Sequence, residues 1–135
     1  MLSWRAIREH LVSRYGVAEA DDDWLRLTWP EPKGGVEVQV RHLQAEGRER
    51  LVIAADIAPA SGIGAADAMV LNGRLLVGSL IIAHDILTLR HILTVGWFQG
   101  EELHATLATI RDQAAELRAH LARPADATPF TFLAE

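Results

Sequence analysis

Apolar positions recur along this chain with two different periods, and the switches between them divide it into elements. After Ser3, a residue suited to cap a helix, Trp4, Ile7, Leu11 and Tyr15 recur at steps of three and four, which predicts a first helix over 3–15 ended by Gly16. An acidic turn, Asp21 to Asp23, precedes a short strand over Trp24 to Trp29, which Pro30 and Pro32 close. Gly34-Gly35 opens a strand over Val36 to Leu43, where Val36, Val38 and Val40 alternate with Glu37, Gln39 and Arg41, one face buried and one wet. Gln44 to Arg48 reads as a hairpin loop, and a third strand follows over Leu51 to Ile57, stopped by Pro59.

From Gly64 to Leu71 the composition favours a second, mostly buried helix, with Asn72-Gly73 as its stop. Only His84-Asp85 separates the apolar stretches Leu75 to Ala83 and Ile86 to Val95, the length of a two-residue β-turn, so these form a hairpin whose second strand shares Leu87, Leu89, Leu93 and Val95 on one face. Leu103, Leu107, Ile110, Ala114, Leu117 and Leu121 then recur at steps of four and three, predicting a long helix over 101–122 with Glu101 and Glu102 at the positive end of its dipole. Pro124 ends it. The order is α-β-β-β-α-β-β-α, an α+β fold with helices packed on an antiparallel sheet.

A chain of 135 residues is long enough for one core and too short for two, so residues 1–123 are expected to form one domain and 124–135 a tail. That tail carries the apolar Pro129-Phe130-Thr131-Phe132-Leu133, which either docks on the body or contacts a partner. The net charge of -5 and scattered arginines exclude a phosphate-binding stripe, so nucleic acid is not an expected partner. With no cysteine, a disulfide framework, a thiolate metal site and a cysteine nucleophile are all excluded. The N-terminus lacks a signal-peptide pattern, and the longest apolar run, Leu75 to Ala83, is far short of the roughly 20 residues that span a bilayer. These features predict a soluble, cytoplasmic protein without membrane association.

Candidate chemistry is sparse. Glu101-x-x-His104 is half of a di-iron motif, but one long helix cannot supply the other half, and a solvated helix face is the simpler reading. His84 and Asp85 are adjacent residues of a tight turn and point apart. His91, between Leu89 and Leu93, reads as a hydrogen-bonded core or interface residue. Asp21-Asp22-Asp23 lacks the ligand spacing of a calcium loop, and Ser13, Ser61 and Ser79 sit in no nucleophile elbow. No enzyme, metal or cofactor is expected; a small metal-dependent hydrolase using His84, Asp85, His91 or His104 is the dissenting alternative. In the last helix, alanines at 105, 108, 115, 119 and 122 widen the apolar stripe and leave room for a second contact, for instance to another subunit.

The stretch Leu71-Asn72-Gly73-Arg74-Leu75-Leu76-Val77-Gly78-Ser79-Leu80, then Asp85 and the strand to Val95, then Gly100-Glu101-Glu102-Leu103 opening an alanine-rich helix, together with the element order, resembles the type III secretion chaperone fold shared by the YbjN-like family of bacterial proteins. The resemblance implies a cytoplasmic homodimer whose apolar strips hold an extended segment of a client protein. Trp24, Trp29, Ile86, Ile92, Trp97 and Phe98 are the candidate partner-binding residues, because alternation places two or more of them on the outer side of their strands. A YbjN-like regulatory or structural domain without a secretion client is the alternative that the same resemblance carries.

Overall fold

Ser3 caps the first helix as its position predicts: its hydroxyl accepts the Ala6 N–H at 3.2 Å, and α1 runs Trp4–Arg14 with Trp4, Ile7 and Leu11 buried. In this computed structural model, which describes residues 3–29 and 36–122, α1 is followed by β1 (Gly16–Asp21), β2 (Trp24–Thr28), β3 (Glu37–Ala45) and β4 (Arg48–Pro59). A 3₁₀ turn (Ala60–Gly62), α2 (Ala65–Asn72), β5 (Ser79–Ala83), β6 (Ile86–Thr94) and α3 (Gly100–Leu121) complete the described elements. The expected proline and glycine punctuation at 30–35, the tail 124–135 and the Phe130–Leu133 segment lie outside the described residues.

The sheet has six antiparallel strands in the order β1-β2-β3-β4-β6-β5. Two of its turns follow from local chemistry. Glu46-Gly47 and His84-Asp85 all have positive φ, the requirement of a two-residue turn that matches the twist of its strands. The expected His84-Asp85 hairpin is therefore present, and the loop expected over Gln44 to Arg48 contracts to a tight turn because β3 and β4 pair as far as Ala45 and Arg48.

Three expectations are corrected. Strand β1 is additional: it pairs with β2, but only Val17 among its side chains is even half-buried, so it has no apolar period to announce it. Strand β5 begins at Ser79 rather than Leu75, because the segment before it is held in another way, by α3. Helix α2 is not buried. It is a two-turn helix at the β5 edge with no buried residue; Leu71 reaches the core while Met69 and Val70 stay exposed.

One face of the sheet carries the core. Leu25, Leu27, Val38, Val40, Leu51 and Ile53 point from it into α1 and α3, whose Ile7, Leu11, Leu103, Leu107, Ile110 and Leu117 are fully buried. At the far end Trp4 stacks on His42 with 5.3 Å between ring centroids, and the His42 ring reaches Asp23 and Glu49 at 3.3 and 3.0 Å. Gly78 closes the opposite side. Its φ of +82° is left-handed, and a Cβ there would lie 2.8 Å from the Arg90 carbonyl oxygen. Gly78→Ala is expected to cost about 2 kcal/mol or more, from backbone strain plus that clash. Urea denaturation at neutral pH reads the loss directly.

Candidate partner-binding surface

Because strand residues alternate, the face opposite the core is set by the register alone. The rows that cross it are Arg41, Val52 and Ile92; then Gln39, Ala54, Arg90 and Ser79; then Asp56, Thr88 and Ile81; then Ile86 and Ala83. Helices α1 and α3 pack on the other face, and this one is left with a trough of about 390 Å³ across β3, β4, β6 and β5. Val52, Ala54, Ile81, Ala83 and Ile86 supply its aliphatic floor and Leu43 one end, with Arg41, Arg90 and His84 around them. The Thr88 hydroxyl is turned back onto the Ile86 carbonyl at 3.3 Å. Beside the trough, Arg26 is held by Glu19 and Glu37 at 3.0 and 3.4 Å, whereas Arg41 and Arg90 are exposed. The surface thus offers apolar contact in the middle and positive charge at the side, on strands rigid enough to hold both in place.

The structure separates the six residues singled out from the sequence. Ile86 and Ile92 share the open face, Ile86 in the trough and Ile92 43% exposed beside Val52. Trp24 lies half-buried on the same face at the β2 end, its ring under the Arg26 guanidinium at 5.6 Å. Trp29 is on the helical side, edge-on to Tyr15 and beneath Arg111 at 5.4 Å. The adjacent pair splits: Phe98 is in the core at 6% exposure, while Trp97 is 77% exposed next to Arg48. Leu43, Val52 and Ile81 are trough residues that the sequence reading passed over. Their alternation is visible in the sequence, but not that, among the described residues, no helix lies over them.

Apart from His84 beside the trough, the histidines fall elsewhere. His104 does not lie on a solvated helix face. It is half-buried, with Tyr15 Oη at 2.6 Å from Nδ1 and His10 Nε2 at 2.7 Å from Nε2, which ties the end of α1 to the start of α3. The chain of contacts is satisfied in either direction: Tyr15 donates to Nδ1 and Nε2–H donates to His10, or Nδ1–H donates to Tyr15 and His10 donates to Nε2. Burial holds the Tyr15 phenol above its usual pKa, against the opposing pull of Arg14 and Arg111. Burial, then Arg14, then His10 push His104 below the ordinary imidazole value, and burial does the same to His91. Among the described residues no group of three or more histidine and carboxylate side chains converges as metal ligands.

A pH dependence follows. With folded pKa values below the unfolded value near 6.5, the unfolded chain takes up protons first as the pH falls. Stability contributed by neutral His91 and His104 is present above about pH 6.5 and is lost as the pH drops toward their folded pKa values. The urea midpoint is expected to fall between pH 7.5 and 5, and His104→Gln to flatten that fall.

Comparison with known proteins places the architecture. No protein-family model matches the sequence, and no curated protein does. Among solved structures, a chain of the ExsC–ExsE complex is 21% identical and superimposes with a TM-score of 0.64, covering 91% of this chain and 94% of that one. A chain of the HopA1–SchA chaperone–effector complex is 12% identical with a TM-score of 0.58, covering 82% and 87%. The α+β fold, a helix, an antiparallel six-stranded sheet and a C-terminal helix, is the fold of these chains. Within the described residues no helix is long and apolar enough to cross a membrane.

Proposed function

We propose that this protein is a non-enzymatic, chaperone-like binding module that holds an extended segment of a client protein on the open face of its sheet, and that it works as a cytoplasmic homodimer. The observation that carries this reading is the trough: an aliphatic floor beside two exposed arginines, on the one sheet face that α1 and α3 leave uncovered. An extended segment presents alternate side chains to such a floor, and carboxylates flanking its apolar residues meet Arg41 and Arg90. The fold likeness to a chain of a chaperone–effector complex supports the same reading. The second reading, a YbjN-like regulatory or structural domain without a secretion client, has the same fold and leaves this surface unoccupied.

The dimer would use another apolar region, where Met69, Val70, Leu76 and Ile82 are 75%, 56%, 70% and 65% exposed along α2, β5 and the segment that joins them. It lies at the sheet edge, away from the centre of the trough, so a dimer joined there keeps both troughs open.

The test is a paired substitution. Ile81→Glu with Ile86→Glu places carboxylates on the trough floor, where a bound segment would desolvate them. Client binding is expected to weaken about a hundredfold, ~3 kcal/mol, with the thermal transition little changed because both side chains are already partly wet. Undiminished binding by a folded double variant would move the site off this face.

A further inference from the structure

Helix α3 ends at the rim of the open face. In its last turns Arg118 reaches past β4, where its Nε donates to the Asp56 carbonyl at 2.9 Å, and it borders a smaller hollow with Arg26, Glu37, Gln39 and Asp56. Gln39 and Asp56 also line the trough, so the two depressions are continuous. The described chain stops one turn later at Ala122, and residues 123–135 follow it. Eight residues lead from Ala122 to Phe130, a reach of about 26 Å when extended. The trough spans four strands at about 4.8 Å spacing, or about 14 Å, so the linker is longer than the trough is wide.

We propose that the C-terminal segment Pro129-Phe130-Thr131-Phe132-Leu133 of the same chain seats in this trough, as an internal competitor that a client must displace. The inference rests on the trough being the binding surface proposed above. The segment has the character the surface asks for: in extended form Phe130 and Phe132 fall on one side, toward the aliphatic floor, and Asp126 and Glu135 flank the apolar run within reach of Arg90 and Arg41. Tethering makes even a weak contact effective. At an effective concentration of about 1 mM, a segment with a local Kd of about 0.1 mM lowers the apparent affinity for a free competitor about tenfold.

Since the chain has no cysteine, Ala134→Cys in the full-length protein accepts a single nitroxide label. Methyl signals of Val52, Ile81 and Ile86 are expected to lose intensity selectively, those of Val12 and Met69 to keep it, and Phe130→Ser with Phe132→Ser to restore the lost signals. Uniform or absent broadening overturns the proposal. So does broadening carried between molecules in a mixture of isotope-labelled and spin-labelled chains, which would make the occupant the tail of a second copy.

A synthetic peptide of residues 126–135, titrated into the Phe130→Ser, Phe132→Ser chain, keeps the two readings apart. It is expected to shift the trough methyls and to bind about tenfold tighter than to the wild-type chain. Trough shifts with equal affinity for both chains would leave the binding surface standing and remove the internal competitor. No shift in either chain would count against both.

Discussion

Gln113→Leu is expected to lower the unfolding free energy by about 3 kcal/mol although the new side chain is apolar and of similar size. Gln113 is 2% exposed, in the middle of the apolar stripe of α3. Its Oε1 accepts the Leu76 N–H at 2.7 Å and its Nε2 donates to the Val77 carbonyl at 2.8 Å, so one amide replaces the strand partner that this segment lacks. Leucine would leave a backbone donor and acceptor without this partner in a half-buried junction, at about 1–2 kcal/mol each. The loss would be local in its consequences, because 75–77 connects α2 to β5, and Asn72 Oδ1 accepts the Leu80 N–H at 2.9 Å across the same junction. Urea denaturation checks the magnitude, and amide exchange at Leu76 and Leu80 checks the place. Ala115→Leu, on the exposed side of α3, is the control and is expected to change stability by no more than about 0.5 kcal/mol.

Val70→Asp with Ile82→Asp is expected to convert the proposed dimer into a folded monomer. Both side chains are more than half exposed in the single chain, so neither substitution empties the core. In a two-fold interface each substitution appears twice, and every carboxylate desolvated without a partner costs about 2 kcal/mol or more. Two such charges weaken association about a thousandfold, and four weaken it further. Sedimentation at micromolar concentration distinguishes the outcomes: a monomer with unchanged circular dichroism supports the α2–β5 interface, and a persisting dimer places the contact elsewhere, with the exposed alanines 105, 115 and 119 of α3 next to be examined.

How much of this was legible depended on whether a residue's fate is local. The stripes of α1 and α3, the Ser3 cap and the His84-Asp85 turn are set by neighbours in sequence, and periodicity or turn chemistry reveals them. Strand β1 is held by backbone pairing with β2 and buries little, so its composition carried no signal. Gln113 carries a local signal: it stands three residues after Ile110 and four before Leu117, a polar side chain on an apolar stripe. The link between His10 and His104 spans 94 residues, and no local pattern announces it. The trough is the intermediate case. Alternation assigns Val52, Ile86 and Ile92 to one face, but whether that face is covered depends on where α2 comes to rest, and α2 sits at the sheet edge.

Photo-crosslinking from defined positions tests the client-holding account most directly. A benzophenone side chain would be placed at Ile81 or Ile86 in the trough and, as the control, at Val12, which is exposed on α1. Crosslinks to one short, extended segment of a partner from both trough positions, and none from Val12, are the result the account predicts. Crosslinks from Val12 while both trough positions stay silent would contradict it.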